Sequence, residues 1–199
     1  MKKLTILLLS AMIIFAAGCG YVTTMTKSTP KTGIFTEVKE ESPIPIGFTD
    51  VLIKASIKTH EEGFYWFEPK NSIHGKPEYS FVLNIDGQVV TWKVDGRKED
   101  TPRFDEDGNT NVEAGVGIKY TLEKKIRLAG GMHKIVINLP GEELSTSMDI
   151  AFKPGRSHFL EFKPFYKHHK RHATTFLCTI AGYDVFLDGK HMVVYNRKS

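Results

Sequence analysis

The sequence predicts an all-β fold, an antiparallel sandwich or small barrel of about eight to ten short strands. Three observations lead there. Apolar and polar residues alternate with period two along most of the chain beyond residue 33, as half-buried strands require. Asp-Gly stands between alternating runs at Asp86-Gly87 and again at Asp188-Gly189, and a two-residue hairpin loop of type I′ needs positive φ at both positions. No stretch repeats its apolar residues at the spacing of an amphipathic helix.

The elements follow in order. Val51, Ile53, Ala55 and Ile57 alternate with Leu52, Lys54, Ser56 and Lys58. Phe81, Leu83 and Ile85 lead into the first Asp-Gly, and Val90, Trp92 and Val94 leave it. Tyr120, Leu122, Ile126 and Leu128 share one parity, as do His133, Ile135, Ile137 and Leu139. Met148, Ile150 and Phe152 come next, then Leu160 and Phe162, then Phe176, Cys178 and Ile180, which predicts a core strand position for Cys178. Val185 and Leu187 enter the second Asp-Gly, and Met192 and Val194 leave it. Residues 97–115 form a charged break expected to be an exposed loop. In Phe64-Tyr65-Trp66-Phe67, alternation sends two of the four rings inward, which favours core packing over stacking on sugars or peptides.

The first residues are of another kind. Met1-Lys2-Lys3 precedes an apolar run from Leu4 to Ala17, then Gly18-Cys19. A basic start, an apolar middle and small residues at the end make a secretory signal peptide, and the run is too short to span a bilayer comfortably. Ala16-Ala17-Gly18-Cys19 resembles the lipobox of bacterial lipoproteins. The resemblance implies cleavage before Cys19, attachment of diacylglycerol to its sulfur, and anchoring that two or three acyl chains make effectively permanent. It also implies a place in the cell envelope. Gly20, rather than Asp, after the cysteine implies the outer membrane, facing the periplasm. The expected organisation is a leader over residues 1–18, a lipidated cysteine and flexible Thr/Ser/Lys-rich tether over 19–32, and one β domain over 33–199.

With the leader removed and Cys19 consumed by lipid, the chain keeps one thiol, Cys178, so no intramolecular disulfide can form. The formal charge falls from +4 to +2 when Lys2 and Lys3 leave, too mild a balance to suggest nucleic acid.

Three blocks carry a second resemblance: Asn84-Ile-Asp-Gly-Gln-Val, Ile126 to Leu139 around Gly131 and His133, and Met148 to Phe162 around Pro154-Gly155. They are similar to PEGA-type small β-sandwich modules of bacterial envelope proteins, over residues 81–163. The charged insert at 97–115 is extra, and the Pro-Glu-Gly-Ala signature does not occur. This resemblance implies a non-catalytic binding or scaffolding module.

Candidate chemistry is sparse. His168, His169 and His172 lie among Lys167, Lys170 and Arg171, and three imidazoles could hold Zn²⁺, Ni²⁺ or Cu²⁺. The adjacent cations repel a dication, so a basic solvated loop is the simpler reading, and a docking patch for anionic headgroups or wall polymers is another. His191 and the acidic run 105–113 could complete a metal shell. That run is rich in oxygen ligands, but Gly108 comes too early for an EF-hand, which leaves a solvated acidic turn. Gly-x-Ser-x-Gly, His-Glu-x-x-His, the P-loop and Gly-x-Gly-x-x-Gly do not occur. The expectation is a lipid-anchored envelope protein, not an enzyme and without a cofactor, bound to the membrane and to an envelope protein or anionic headgroups and not to nucleic acid. The alternative is a metal-binding lipoprotein using His168, His169 and His172.

Lipidation is tested directly. Cys19→Ala should abolish incorporation of labelled fatty acid and release or mis-process the protein; a variant that is still labelled and still sediments with membranes refutes the anchor.

Overall fold

The computed structural model describes residues 31–167 and 175–198, and the fold is all-β as the alternation predicts. Eleven strands lie among the described residues: β1 (Phe35–Glu37), β2 (Phe48–Thr59), β3 (Glu78–Ile85), β4 (Gln88–Thr101), β5 (Gly115–Ala129) and β6 (Gly131–Leu139) in the first part. A 3-10 turn at Pro140–Glu142 leads to β7 (Leu144–Phe152), β8 (Ser157–Tyr166), β9 (Ile180–Leu187), β10 (Lys190–His191) and β11 (Tyr195–Lys198). They form one curled sheet in the order β10-β9-β8-β2-β5-β4-β3-β6-β7-β11, with β1 added against β5.

Two features differ from the short antiparallel strands expected. β2, β4 and β5 run for 12, 14 and 15 residues. The sheet is also mixed, because β2 and β8 pair in parallel from Asp50↔Ser157 to Ala55↔Phe162. The charged segment 97–115 is only partly loop. Arg97 to Thr101 continue β4 and pair with β5, since charged side chains on an outer strand face cost nothing that alternation would reveal.

β4 organises the curl. Its residues Gln88–Asp95 pair with β3, and Gly96–Thr101 pair with β5. At Gly96, where the partner changes, a Cβ would lie 2.5 Å from Ile118 Cγ2 and 2.7 Å from the Tyr120 ring, so only glycine fits. β1 takes the edge of β5 that β4 leaves vacant, at Phe35↔Leu128 to Glu37↔Ile126. The Gln88 side chain fixes it there: Oε1 accepts from the N–H groups of Ile34 (2.7 Å) and Phe35 (3.1 Å), and Nε2 donates to Phe35 O (2.9 Å). On the far side Asn196 of β11, already paired with β7, reaches β9. Its amide donates to Tyr183 O (3.3 Å) and its Oδ1 accepts from Tyr183 N–H (3.1 Å). One core fills the curl, with Ile53, Leu122 and Leu160 from one half meeting Leu83, Ile135 and Ile150 from the other.

Both Asp-Gly hairpins form. Ile85↔Gln88 and Leu187↔Lys190 close two-residue loops, with φ of 51° and 99° at Asp86-Gly87 and 50° and 80° at Asp188-Gly189. Each aspartate is held in the same way. Asp86 accepts from Lys134 N–H (2.8 Å) and meets His133 Nδ1 (2.7 Å). Asp188 accepts from Phe159 N–H (2.8 Å) and meets His158 Nδ1 (2.7 Å). Phe152 lies beside both imidazoles, its ring centroid 6.0 Å from His133 and 5.4 Å from His158. This end of the fold also carries Lys31, whose N–H donates to Gly87 O (3.3 Å).

Asp50 on β2 is buried, and Arg127 binds it through Nε (2.6 Å) and Nη2 (3.0 Å). The guanidinium holds its carboxyl below the ordinary aspartate range. A depressed folded-state pKa adds stability above the unfolded value of about 3.9, and that stability is lost as pH falls through the folded value. The melting temperature of Asp50→Asn should therefore lie below wild type at pH 7, with the gap narrowing below about pH 4. A gap independent of pH would contradict the ion pair.

Candidate functional site

The end opposite the Asp-Gly turns holds the densest polar chemistry. β2 ends at Thr59, and the chain makes a loop over residues 60–77 before β3. Gly75 closes the base of this loop. Its φ is +70°, a Cβ there would lie 2.1 Å from Glu62 N, and its N–H donates to Thr59 Oγ1 (3.1 Å). The 3-10 turn sits beside it, with Gly141 against Ile73.

Inside this frame His60 and His74 meet, His60 Nε2 lying 2.8 Å from His74 Nδ1. His60 Nδ1 faces Glu61 O (2.9 Å), so that nitrogen carries a proton and Nε2 offers its lone pair. His74 Nε2 lies 2.7 Å from the buried carboxylate of Glu142. The hydrogen bond from Glu142 raises the His74 pKa, and the chain of contacts runs from Glu142 through His74 to His60. Glu68 Oε1 stands 3.7 Å from His60 Nε2. Ser72 Oγ donates to the Glu68 carboxylate, as does Gly63 N–H (3.2 Å), and the Ser72 bond holds this carboxyl below the usual range. One atom from each of His60, Glu68 and His74 lies within 4.8 Å of the other two. A cleft of about 830 Å³ opens beside them, walled by Tyr65, Phe67, Glu142, Leu177 and Cys178.

The aromatic run does not pack inward as expected. Phe64 and Tyr65 are half-exposed and lie against His60, whereas Trp66 and Phe67 are 92% and 91% exposed. The loop has left the sheet, so alternation has no core to answer to. Tyr65 OH donates to Leu177 O (3.0 Å) and ties the loop to the turn before β9. Cys178 likewise sits in that turn and not on a strand. It is half-buried and free, while its neighbours Phe176 and Ile180 are buried.

Cys19, His168, His169 and His172 lie outside the described residues. His191 is exposed on β10 near Asp184 (3.5 Å). The acidic run forms an exposed turn in which Asp105 spends its carboxylate on the N–H groups of Asp107 (3.1 Å) and Asn109 (2.7 Å).

A second buried polar group lies nearby. Lys58 is fully buried, and burial lowers its pKa. Its ammonium donates to Thr101 Oγ1 (2.6 Å), Glu113 O (2.9 Å) and Gly115 O (2.7 Å), which uses all three of its N–H bonds. Saturated in this way, it ties the 102–114 loop to β2 and has no proton free for chemistry.

Comparison with protein-family models, with curated proteins and with solved structures finds no match for this chain. His60, Glu68, His74 and Glu142 are the functional candidates that the sequence pattern did not single out. Two histidines and a glutamate within fifteen residues, between a strand end and Gly75, were the available signal.

Gly75→Ala should cost about 2 kcal/mol, from positive φ and a backbone clash. Limited proteolysis mapped by mass spectrometry should then find new cleavage within residues 61–76. Unchanged stability and protection would show that the loop base tolerates a Cβ.

Proposed function

We propose that this chain is a lipid-anchored protein of the bacterial cell envelope that holds an envelope protein partner and catalyses no reaction. One observation carries the reading: the first described residue and the exposed aromatic loop lie at opposite ends of the fold. Lys31, the first described residue, is bonded at the Asp-Gly end, where a tether from a lipidated Cys19 would arrive. The aromatic loop lies at the other end of β2, on the order of 35 Å away at strand rise. Anchored this way, the domain would present Trp66 and Phe67 away from its own membrane. Exposed aromatic side chains beside charged ones match the composition of protein interfaces, whose centres favour Trp, Tyr and Phe and whose rims are polar. Glu61, Glu62, Lys70 and Lys76 supply such a rim. The resemblance of the turn motifs around Asp86, His133 and Pro154-Gly155 to PEGA-type envelope modules implies the same role.

The test uses the full chain in intact cells, with a photo-crosslinking side chain at Phe67 or at Met132, an exposed position on the Asp-Gly end. A discrete protein adduct is expected from position 67 and lipid adducts from 132. Lipid adducts from 67, or the same adduct from both positions, would overturn the reading.

A further inference from the structure

We infer that His60, His74 and Glu68 form a binding site for a divalent transition metal of the Zn²⁺ class, distinct from the partner-binding role above. The arrangement is that of a metal site with a proton in the metal's place. His60 Nε2 and His74 Nδ1 point at one another across 2.8 Å. Bonds of 2.0–2.1 Å to a tetrahedral ion would set those nitrogens ~3.3 Å apart, so the rings need part by only about half an ångström. Glu68 Oε1, 3.7 Å from His60 Nε2, supplies the third ligand.

The surroundings argue for an ion more strongly than the three atoms do. Histidines that bind metals hand their remaining ring N–H to a carbonyl or carboxylate, which fixes the tautomer and strengthens the ligand. Both rings have such an acceptor: His60 Nδ1 has Glu61 O at 2.9 Å, and His74 Nε2 has the Glu142 carboxylate at 2.7 Å. Glu68 is oriented in turn by Ser72 and Gly63. The Glu142 carboxylate sits 4% exposed in the 3-10 turn with the His74 imidazole against it, and a metal at the other nitrogen of that ring would share its charge. Two imidazoles and a carboxylate suit Zn²⁺, Co²⁺, Ni²⁺ or Cu²⁺ and do not suit Ca²⁺ or Mg²⁺, which require oxygen. Three protein ligands beside an open cleft leave a fourth position for water or a small anion. Because the ligands stand at positions 60, 68 and 74, the ion would cross-link the aromatic loop.

The experiment uses the untagged full chain in detergent, stripped of metal by a chelator that is then dialysed away. Calorimetric titration with Zn²⁺ should find one site per chain with Kd near or below ~1 μM. His60→Gln and Glu68→Gln should weaken it about 100-fold or more, and Glu142→Gln, which touches only the second nitrogen of His74, by about 10–100-fold. The triple variant His168→Ala/His169→Ala/His172→Ala should retain it. Far-UV circular dichroism checks that each variant keeps its sheet. Co²⁺ added to wild type gives a readout independent of any substitution: intense visible bands of a low-coordinate site are expected. No Zn²⁺ binding tighter than millimolar, pale Co²⁺ spectra, or loss that follows the triple variant and not His60→Gln would overturn the assignment.

Discussion

The contact of the Gly96 backbone with Ile118 and Tyr120 sets the shape on which the rest depends. With no Cβ at position 96, the backbone approaches β5 closely enough to change partners, and β4 enters both halves of the sheet. The halves then fold toward one another and share one core. Two consequences follow. The edge of β5 beyond Tyr120 is released and is filled by β1, which Gln88 pins in place. The free edges of the curl, near β7 and β9, come close enough for the Asn196 amide to bridge them.

The two ends of this curl are built on different principles. At one end the Asp86/His133 and Asp188/His158 pairs repeat a single device. An aspartate held at positive φ by its turn uses both carboxylate oxygens on the neighbouring strand, one on an imidazole and one on the next residue's N–H. Phe152 packs between the two histidines. That end is locked by local, charge-assisted bonds. There His133 and His158 each hold a turn aspartate in place.

The other end also buries groups that folding alone would not choose to bury. Lys58, His60 and Glu142 are each buried, and Tyr79 keeps a buried hydroxyl without a hydrogen-bond partner among the described residues. Burying charge and leaving a polar atom unpaired both cost stability, and departures of this kind gather where a protein has a task beyond folding. Lys58 is fully compensated and reads as a structural tie. The His60, His74 and Glu68 group keeps coordinating capacity beside an open cleft, which separates it from the lysine.

What the sequence determined by itself was the local chemistry. Period-two alternation gave the strands and their buried faces, from Ile53 and Leu83 to Ile135 and Ile150, because in an extended chain the side-chain direction depends only on parity. Asp-Gly gave both hairpins, because positive φ is a property of those two residues. Tertiary structure decided everything that depends on which strands meet. The parallel pairing of β2 with β8, the bend at Gly96 and the burial of Lys58 arise from contacts between residues far apart in the chain. The outward turn of Trp66 and Phe67 arose because their loop leaves the sheet, where parity no longer assigns a face. His60, Glu68, His74 and Glu142 come from a strand end, a loop and a turn between two other strands, with Glu142 sixty-eight positions from His74. No pattern along the chain carries that distance; only the curl of the sheet brings them together.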